Sequence, residues 1–388
     1  MSRATVRTPE VQTKLPAVGT TIFTVMSALA AEKNAVNLGQ GFPDFNCDPQ
    51  LLQAVTDAMA AGHNQYPPMP GILPLREAIA AKMAALYGHR YDPQSEITVT
   101  AGATQAIITA ILAVVRPGDE VIVLEPCYDS YVPNIDLAGG TVVRVPLTPG
   151  SFRPDFAKIA AALTPRTRAI IVNTPHNPSA TVWTEAEMRQ LEALLAPTEV
   201  LVISDEVYEH MVYAGARHES AARFPGLAAR SFIVSSFGKT YHVTGWKVGY
   251  VAAPAALSAE FRKVHQFNVF TVNTPMQHAL SGYMADPAPY LELPAFYQRK
   301  RDLFAEGLAK TRFRLLPSAG TYFQCVDISE VSALGEADFC QWLTREIGVA
   351  AIPLSAFYGD GFDQRVVRFC FAKKDETLQM AIERLARL

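Results

Sequence analysis

Ser235-Ser236-Phe237-Gly238-Lys239-Thr240-Tyr241-His242, continued by Val243-Thr244-Gly245-Trp246-Lys247-Val248-Gly249-Tyr250, is the stretch around which the chain is organised. An apolar run, Ser231 to Val234, precedes the lysine, and a second, Val248 to Ala253, follows it. Runs this short and apolar read as buried strands. Lys239 then falls in an irregular connection at a strand end, where open α/β sheets place ligands. An isolated lysine in such a loop is ordinarily a solvated cation. Gly238-Lys239-Thr240 also spells the end of a nucleotide-binding P-loop, but that motif needs a glycine five places before Gly238, and position 233 is Ile. Without that glycine the backbone cannot wrap phosphates, and the P-loop reading is discarded.

The composition narrows the class. A chain of 388 residues is long enough for about two to three domains, and with 49% hydrophobic and 18% charged residues it can bury a large core. Its net charge of −3 points to neither nucleic acid nor an anionic membrane. Cys47, Cys127, Cys325, Cys340 and Cys370 are scattered without a Cys-x-x-Cys pair. That pattern fits free thiols in a reducing, cytoplasmic setting better than disulfides or a zinc site, and no metal is expected. No stretch reaches the ~18 apolar residues of a membrane span. Ile22 to Ala31 starts late and contains Thr24 and Ser27, so it reads as a short helix in an N-terminal arm rather than a signal segment.

Helical spacing marks Asp48 to Ala61, with Asp48 as N-cap, and Leu73 to Tyr87. Between them lies a loop, Asn64 to Gly71, stiffened by Pro67, Pro68 and Pro70. From Glu96 short strands alternate with helices. The expected strands are Ile97–Thr100, Val121–Leu124, Thr141–Val145, Ala169–Asn173, Val200–Ser204, Phe232–Ser235 and Val248–Ala252, separated by helices such as Thr104–Val115, Thr184–Leu195 and Ala256–Phe267. Near-continuous Val/Ile runs between helices imply a mostly parallel sheet covered on both faces. After Asp286 the texture changes to a long charged helix, Pro294 to Lys310, then strands at Phe313–Leu315, Thr321–Val326 and Val366–Phe371 and helices at Phe339–Ile347 and Glu376–Leu388. The expected organisation is an arm (1–48), a three-layer α/β/α large domain with a seven-stranded sheet (49–286) and a small α+β domain (287–388) that packs with the arm.

Several strand ends carry chemistry. Ala101-Gly102-Ala103-Thr104-Gln105 follows a strand and opens a helix, so its N–H groups offer a phosphate site. Ser236 and Lys247 could add a hydroxyl and a cation. The strand Val200 to Ser204 runs into Asp205, a poor choice for a buried end without a partner, and Tyr208 follows three residues on. Arg368, alone in the apolar strand around Val367 and Phe369, is costly unless it meets an anion, and its planar fork suits a carboxylate. Asn173-Thr174-Pro175-His176-Asn177-Pro178 and Pro126-Cys127-Tyr128 also sit at strand ends. Asn37 to Asp44 is not a dinucleotide fingerprint, since Asp44 stands where the third glycine belongs.

Together these motifs resemble the fold-type I aminotransferases that depend on pyridoxal 5′-phosphate (PLP), and within them the branch acting on kynurenine, glutamine and methionine. The resemblance runs in the family's order from residue 37 to 371. It implies the PLP-dependent transferase fold and Lys239 as the Schiff-base lysine and proton carrier. Asp205 would pair with the pyridinium nitrogen, and Asn177 and Tyr208 would contact the phenolic oxygen. Tyr128 would stack on the ring, while Gly102, Ala103, Thr104, Ser236 and Lys247 would surround the phosphate. Arg368 would hold the substrate α-carboxylate near Gly41, Asn177 and Tyr128. Ile22, Phe23, Tyr66, Phe270 and Phe357 are candidates for the side-chain pocket. Tyr66 would also reach the phosphate of a partner chain in a homodimer. The chain departs from the family after Pro178, where Ser179-Ala180 replace the usual Thr/Leu-Gly. The implied activity is ping-pong transfer of an amino group from an α-amino acid, of methionine, aromatic or glutamine-like type, to a 2-oxo acid. A PLP-dependent carbon–sulfur β-lyase on the same fold is the alternative. A non-catalytic ligand sensor would need a basic DNA-binding segment that the N-terminus is too short to supply.

Overall fold

The computed structural model describes residues 9–213 and 215–388. At its centre lie seven strands: β1 (Ile97–Thr100), β2 (Glu120–Glu125), β3 (Thr141–Pro146), β4 (Thr167–Asn173), β5 (Leu201–Asp205), β6 (Ser231–Ser236) and β7 (Gly249–Ala252). They form one sheet in the order β1-β7-β6-β5-β4-β2-β3. Strands β2 to β6 are parallel, and β7 is antiparallel to both β6 and β1. It follows that β1 runs with the other five. Six strands therefore bring their carboxyl ends to one edge, and β7 starts there. All seven expected strands form, with ends displaced by at most one or two residues.

Alternation along the strands divides the core. Val121, Val123, Ile171, Ile203, Phe232 and Val251 face Ile107, Ile111 and Phe261, which come from the helices Gly102–Val114 and Ala255–Asn268. Their neighbours Ile122, Ile170, Val172, Val202, Ile233 and Ala252 belong to the opposite face, with Ile79, Leu191 and Leu280. Two apolar faces per strand require helices on both sides, which gives the three-layer α/β/α arrangement. Full burial of each such side chain contributes on the order of 1.5–3 kcal/mol. Helix starts follow local chemistry. Asp48 caps Pro49–Ala60 by accepting from the Gln50 N–H, and Thr184 and Glu187 form a reciprocal capping box on Glu185–Leu195.

A second, antiparallel sheet is made of β8 (Arg314–Leu315), β9 (Phe323–Asp327), β10 (Ile352–Pro353) and β11 (Val366–Cys370), in the order β10-β11-β9-β8. Arg368 is in register with Cys325 on one side and Ile352 on the other. The N-terminal segment docks here. Val36–Asn37 pairs with Val349–Ala350, Cys370 N–H donates to Leu38 O, and the helix Ile22–Glu32 buries Met26, Leu29 and Ala30.

Three local expectations are corrected. Lys239 is not in an irregular connection but in one helical turn, Phe237–Thr240, placed directly after β6. The strand expected from Thr321 begins at Phe323, because Thr321 has φ 63° and cannot join the ladder. The helices Tyr131–Leu137 and Phe156–Ala162 were not foreseen, each being only seven residues long.

The departure after Pro178 has a structural consequence. Ala180 stands at φ 63°, fully buried, with its N–H on His176 O and its carbonyl accepting from Ala319 and Gly320 N–H. Gly320 is needed for this approach, since a Cβ there would lie 2.6 Å from Val182 and 2.8 Å from Pro175. A left-handed backbone costs an L-residue roughly 1–2 kcal/mol, of which glycine's extra chain entropy would return roughly 0.5–1 kcal/mol. Ala180→Gly is therefore expected to melt at the same temperature or higher. Ala180→Val places a β-branch on the same backbone and should melt roughly 2 °C or more lower. Equal thermal melting of the alanine and valine forms would show that this position carries no strain.

Candidate active site

At the carboxyl edge of the large sheet, against the small sheet and the Gly39–Asp44 loop, lies a cavity of about 240 Å³. It is lined by Gly41, Gly102, Ala103, Thr104, Tyr128, Asn177, Asp205, Tyr208, Ser236, Lys239, Lys247 and Arg368, twelve of the residues expected from the sequence.

One end is built for an anion. The helix Gly102–Val114 opens there with no side-chain cap, so its first N–H groups lack intrahelical partners. Gly102 has φ 78°, and a Cβ on it would lie 3.4 Å from Lys247 Nζ. The lysine ammonium thus rests against the helix start, in a left-handed turn of its own at φ 54°. Ser236, at the end of β6, lines the same cavity.

Asp205 ends β5, fully surrounded by protein. Tyr131 donates its hydroxyl to Asp205 Oδ2 at 2.6 Å. Burial pushes the carboxyl up to about 6, although the Tyr131 hydroxyl, the Val207 N–H and Lys239 favour the ionised form. Beside it the turn after β4 is self-tied: Asn173 Nδ2 donates to Asp205 O at 2.8 Å, and the Asn177 N–H donates to Asn173 Oδ1 at 2.8 Å. Tyr208 is buried and Tyr128 half-buried, each with a ring on the cavity.

Lys239 Nζ donates to Tyr322 OH at 2.6 Å and to Gly41 O at 3.1 Å. Burial pushes its ammonium down to about 8, helped by Arg368 and Lys247 and opposed by Cys370 and Asp205. Tyr322 also donates to Gly41 O. The preceding residue, Thr321, is β-branched, fully buried and at φ 63°, a conformation that costs on the order of 1–3 kcal/mol and clusters at functional sites. Three bonds hold it: its N–H to Met211 O, its carbonyl from Tyr213 OH, and its hydroxyl from Phe323 N–H.

Arg368 is 1% exposed. Nη1 donates to Asn177 Oδ1 at 2.6 Å and Nη2 to Gly39 O at 3.2 Å, while Nε has no partner. Its guanidinium centre lies 3.9 Å from the Phe323 ring, with Phe357 at 5.1 Å and Phe23 at 5.4 Å. Among the described residues no carboxylate forms an ion pair with it. A buried cation in this state is costly until an anion arrives. Burial lowers its pKa accordingly.

Four of the expected residues lie apart. Tyr66 is 81% exposed and meets the half-exposed Phe270 edge-on at 5.3 Å, outside the cavity. Ile22 is half-buried and does not line it. Phe357 reaches the site only through Arg368 and Phe23. Conversely, Tyr131 and Tyr322 were missed. Tyr131 lies between Ser130 and Val132 and Tyr322 between Thr321 and Phe323, and nothing in these neighbours marks the direction of either hydroxyl. No cluster of three His, Cys, Asp or Glu that could hold a metal ion occurs among the described residues.

The comparisons agree with this geometry. The profile of the family described as Aminotransferase class I and II matches residues 33–385. A methionine aminotransferase of Escherichia coli is 55% identical over 378 residues, covering 97% of this chain and 98% of that protein. A probable N-succinyldiaminopimelate aminotransferase, DapC, of Mycobacterium tuberculosis is 43% identical over 387 residues, covering 97% and 98%. The solved structure of YbdL from Escherichia coli, identified there as having a methionine aminotransferase function, superposes with a TM-score of 0.97 at 54% identity, covering 98% of this chain and all of that one. The chain belongs to the class I and II aminotransferase family, PLP-dependent enzymes, and it transfers amino groups.

Proposed function

We propose that this aminotransferase carries PLP on Lys239 and moves the amino group of methionine, aromatic and glutamine-like amino acids to 2-oxo acids in a ping-pong cycle. The observation that carries the reading is Arg368: a buried guanidinium, stacked on Phe323 and lacking a carboxylate, on the cavity that also holds Lys239 and Asp205. The residues present fit the cofactor. Uncapped helix N–H groups, Ser236 and Lys247 suit a phosphate monoester, and a buried carboxylate suits a protonated ring nitrogen. Tyr208 and the NH₂ end of Asn177, whose oxygen is engaged by Arg368, suit a phenolate.

When bound, PLP supplies the electron sink for the pair left at the substrate Cα. The chain does the rest. Arg368 and the Asn177 amide orient the substrate carboxylate, which fixes the Cα–H bond relative to Lys239. Lys239, held down to about 8, is neutral in roughly a tenth of molecules at pH 7, far more than an ordinary lysine, and in that form can take the proton. The proton is then held on Nζ until it is returned. On the side-chain side Phe23 and Phe323 are apolar, and Arg368 is the one arginine on the cavity among the described residues. That lining supports neutral side chains over dicarboxylates, as does the likeness to a methionine aminotransferase. Free cysteines support a cytoplasmic setting, and no described helix is long and apolar enough to cross a membrane.

Arg368→Met is expected to lower kcat/KM for methionine more than tenfold while transfer from simple amines changes little. The lost contact is specific to the carboxylate, and a hydrogen bond to a charged group contributes about 1.5–3 kcal/mol. An unchanged preference for acids over amines would remove Arg368 from the site.

Asp205 makes a second expectation. Its carboxyl rises from an ordinary 3.8 to about 6 in the folded chain. The folded form then binds the proton more tightly, so the contribution to stability is full below pH ~4 and is lost as pH rises through ~6, by about 3 kcal/mol. Urea unfolding of the cofactor-free chain should show this loss between pH 4 and 7, and Asp205→Asn should abolish it. Equal pH slopes for the two proteins would argue against a strained carboxylate.

The exposed Tyr66, on its proline-stiffened loop, supports a homodimer whose sites borrow it from the partner chain. Mixing inactive Lys239→Ala with inactive Tyr66→Ala under exchange conditions should then recover about a quarter of wild-type activity, because half the sites in random hybrids are intact. Sites built within one chain would recover none.

A further inference from the structure

Tyr322 is not among the residues that the family resemblance singles out, yet it makes the shortest polar contact of the lysine amine. Three parts of the chain meet at that amine: the turn after β6 with Lys239, the Gly39–Asp44 loop with Gly41, and the start of β9 with Tyr322. The loop is itself pinned. Gly39 O accepts from Arg368, Phe42 O from Lys373 Nζ at 2.8 Å, and Asp44 from Thr377 at 2.7 Å. The tyrosine ring is wedged edge-on between Tyr208 at 5.2 Å and Phe323 at 4.9 Å, with Tyr297 at 5.7 Å. The strained backbone of Thr321 aims it there. Such strain at a buried β-branched residue points to a side chain whose direction matters.

The hydrogen count gives this direction a meaning. A neutral amine has two N–H bonds and one lone pair. Gly41 O and Tyr322 OH are placed to accept both N–H bonds, and the Tyr322 hydrogen is directed to Gly41 O and the neighbouring Tyr208 hydroxyl rather than to the amine. The lone pair is thereby the only feature of Nζ left over, free to face the cavity.

We propose that Tyr322 is a positioning residue for the proton transfer: it holds the freed amine of Lys239 against Gly41 so that the lone pair meets the substrate Cα–H. The idea rests on Lys239 being the cofactor-bearing base. Without the phenol, one N–H is unclaimed, the amine rotates about its last bond, and the lone pair is aligned for only part of the time.

The test uses the full-length, PLP-loaded enzyme and Tyr322→Phe, which keeps the ring and removes the hydroxyl. First, borohydride reduction and peptide mass mapping of the unaltered enzyme should find the cofactor on Lys239. If it is elsewhere, the reading of the site fails and this proposal falls with it. Given that result, Tyr322→Phe should retain the cofactor on Lys239, lose tenfold or more in kcat with KM within twofold, and show a larger kinetic isotope effect with Cα-deuterated methionine. Acetic anhydride labelling of Lys239 in the cofactor-free chain, followed by mass spectrometry, should run at least threefold faster, since the amine is untethered. A kcat within twofold, a lower kcat with an unaltered isotope effect, or an unaltered labelling rate would each overturn the role of Tyr322 while leaving that of Lys239 intact. Should Tyr322→Phe fail to fold, Tyr322→Leu serves instead. It also removes the hydroxyl while keeping an apolar side chain, so it should show the same fall in kcat and rise in isotope effect. Unchanged turnover in that variant would overturn the proposal.

Discussion

Three ionisable side chains, the buried Asp205 and Arg368 and the half-buried Lys239, line one cavity without neutralising one another, and most of the structure near the sheet edge holds them that way. Left alone, each would change its protonation or move to solvent, because a buried charge without a partner is costly. Here each is held by neutral groups instead. Asp205 has the Tyr131 hydroxyl, Arg368 has the Asn177 amide and an aromatic face, and Lys239 has a carbonyl and a phenol. These partners orient the charges but do not cancel them, so the charges remain available to a bound molecule.

Behind this shell lies a second, in which the buried carboxylates are paired. The Glu209 carboxylate accepts from Lys82 Nζ, Ser235, Tyr87 and Tyr250, and Glu206 accepts from Ser204 and from the Ala221 N–H beside His218. Burial pushes Glu209 up, yet Lys82, His210 and the hydroxyl donors together hold it well below the usual carboxylate range. Glu206 and Glu209 bracket Tyr208 and follow Asp205 directly, so this network pins the segment that presents both. Ser235 likewise fixes the strand end from which Ser236 and Lys239 emerge. The contrast is chemical: charges behind the cavity are paired and rigid, while charges on it are oriented and open.

The strands were legible because all seven are short apolar runs between turn signals, and burial on two faces leaves little else for such runs to be. Site residues were legible where they broke that pattern. Asp205 at the end of Leu201–Asp205 and Arg368 inside Val366–Cys370 are polar groups in apolar runs, each asking for a partner. Tyr131, between Ser130 and Val132, and Tyr322, between Thr321 and Phe323, break no such pattern, and the use of a tyrosine hydroxyl depends on what lies opposite. Thr321 reads as a strand residue because β-branched residues favour strands, and only contacts from Met211, Tyr213 and Phe323 hold it at φ 63°.

By itself, then, the sequence determined the alternation that makes a doubly covered sheet, and the strand ends at which Lys239, Asp205, Asn177 and Gly102 would emerge, because hydrophobic periodicity and turn chemistry act over a few residues. It also singled out Arg368, through the cost of a lone cation in an apolar strand. Only the tertiary structure decided which groups face which. Gly41, Lys239 and Tyr322 are separated by 198 and 83 residues, yet meet at one amine. Hydrogen bonds reach about 3 Å, and no local rule of the chain carries direction over such separations.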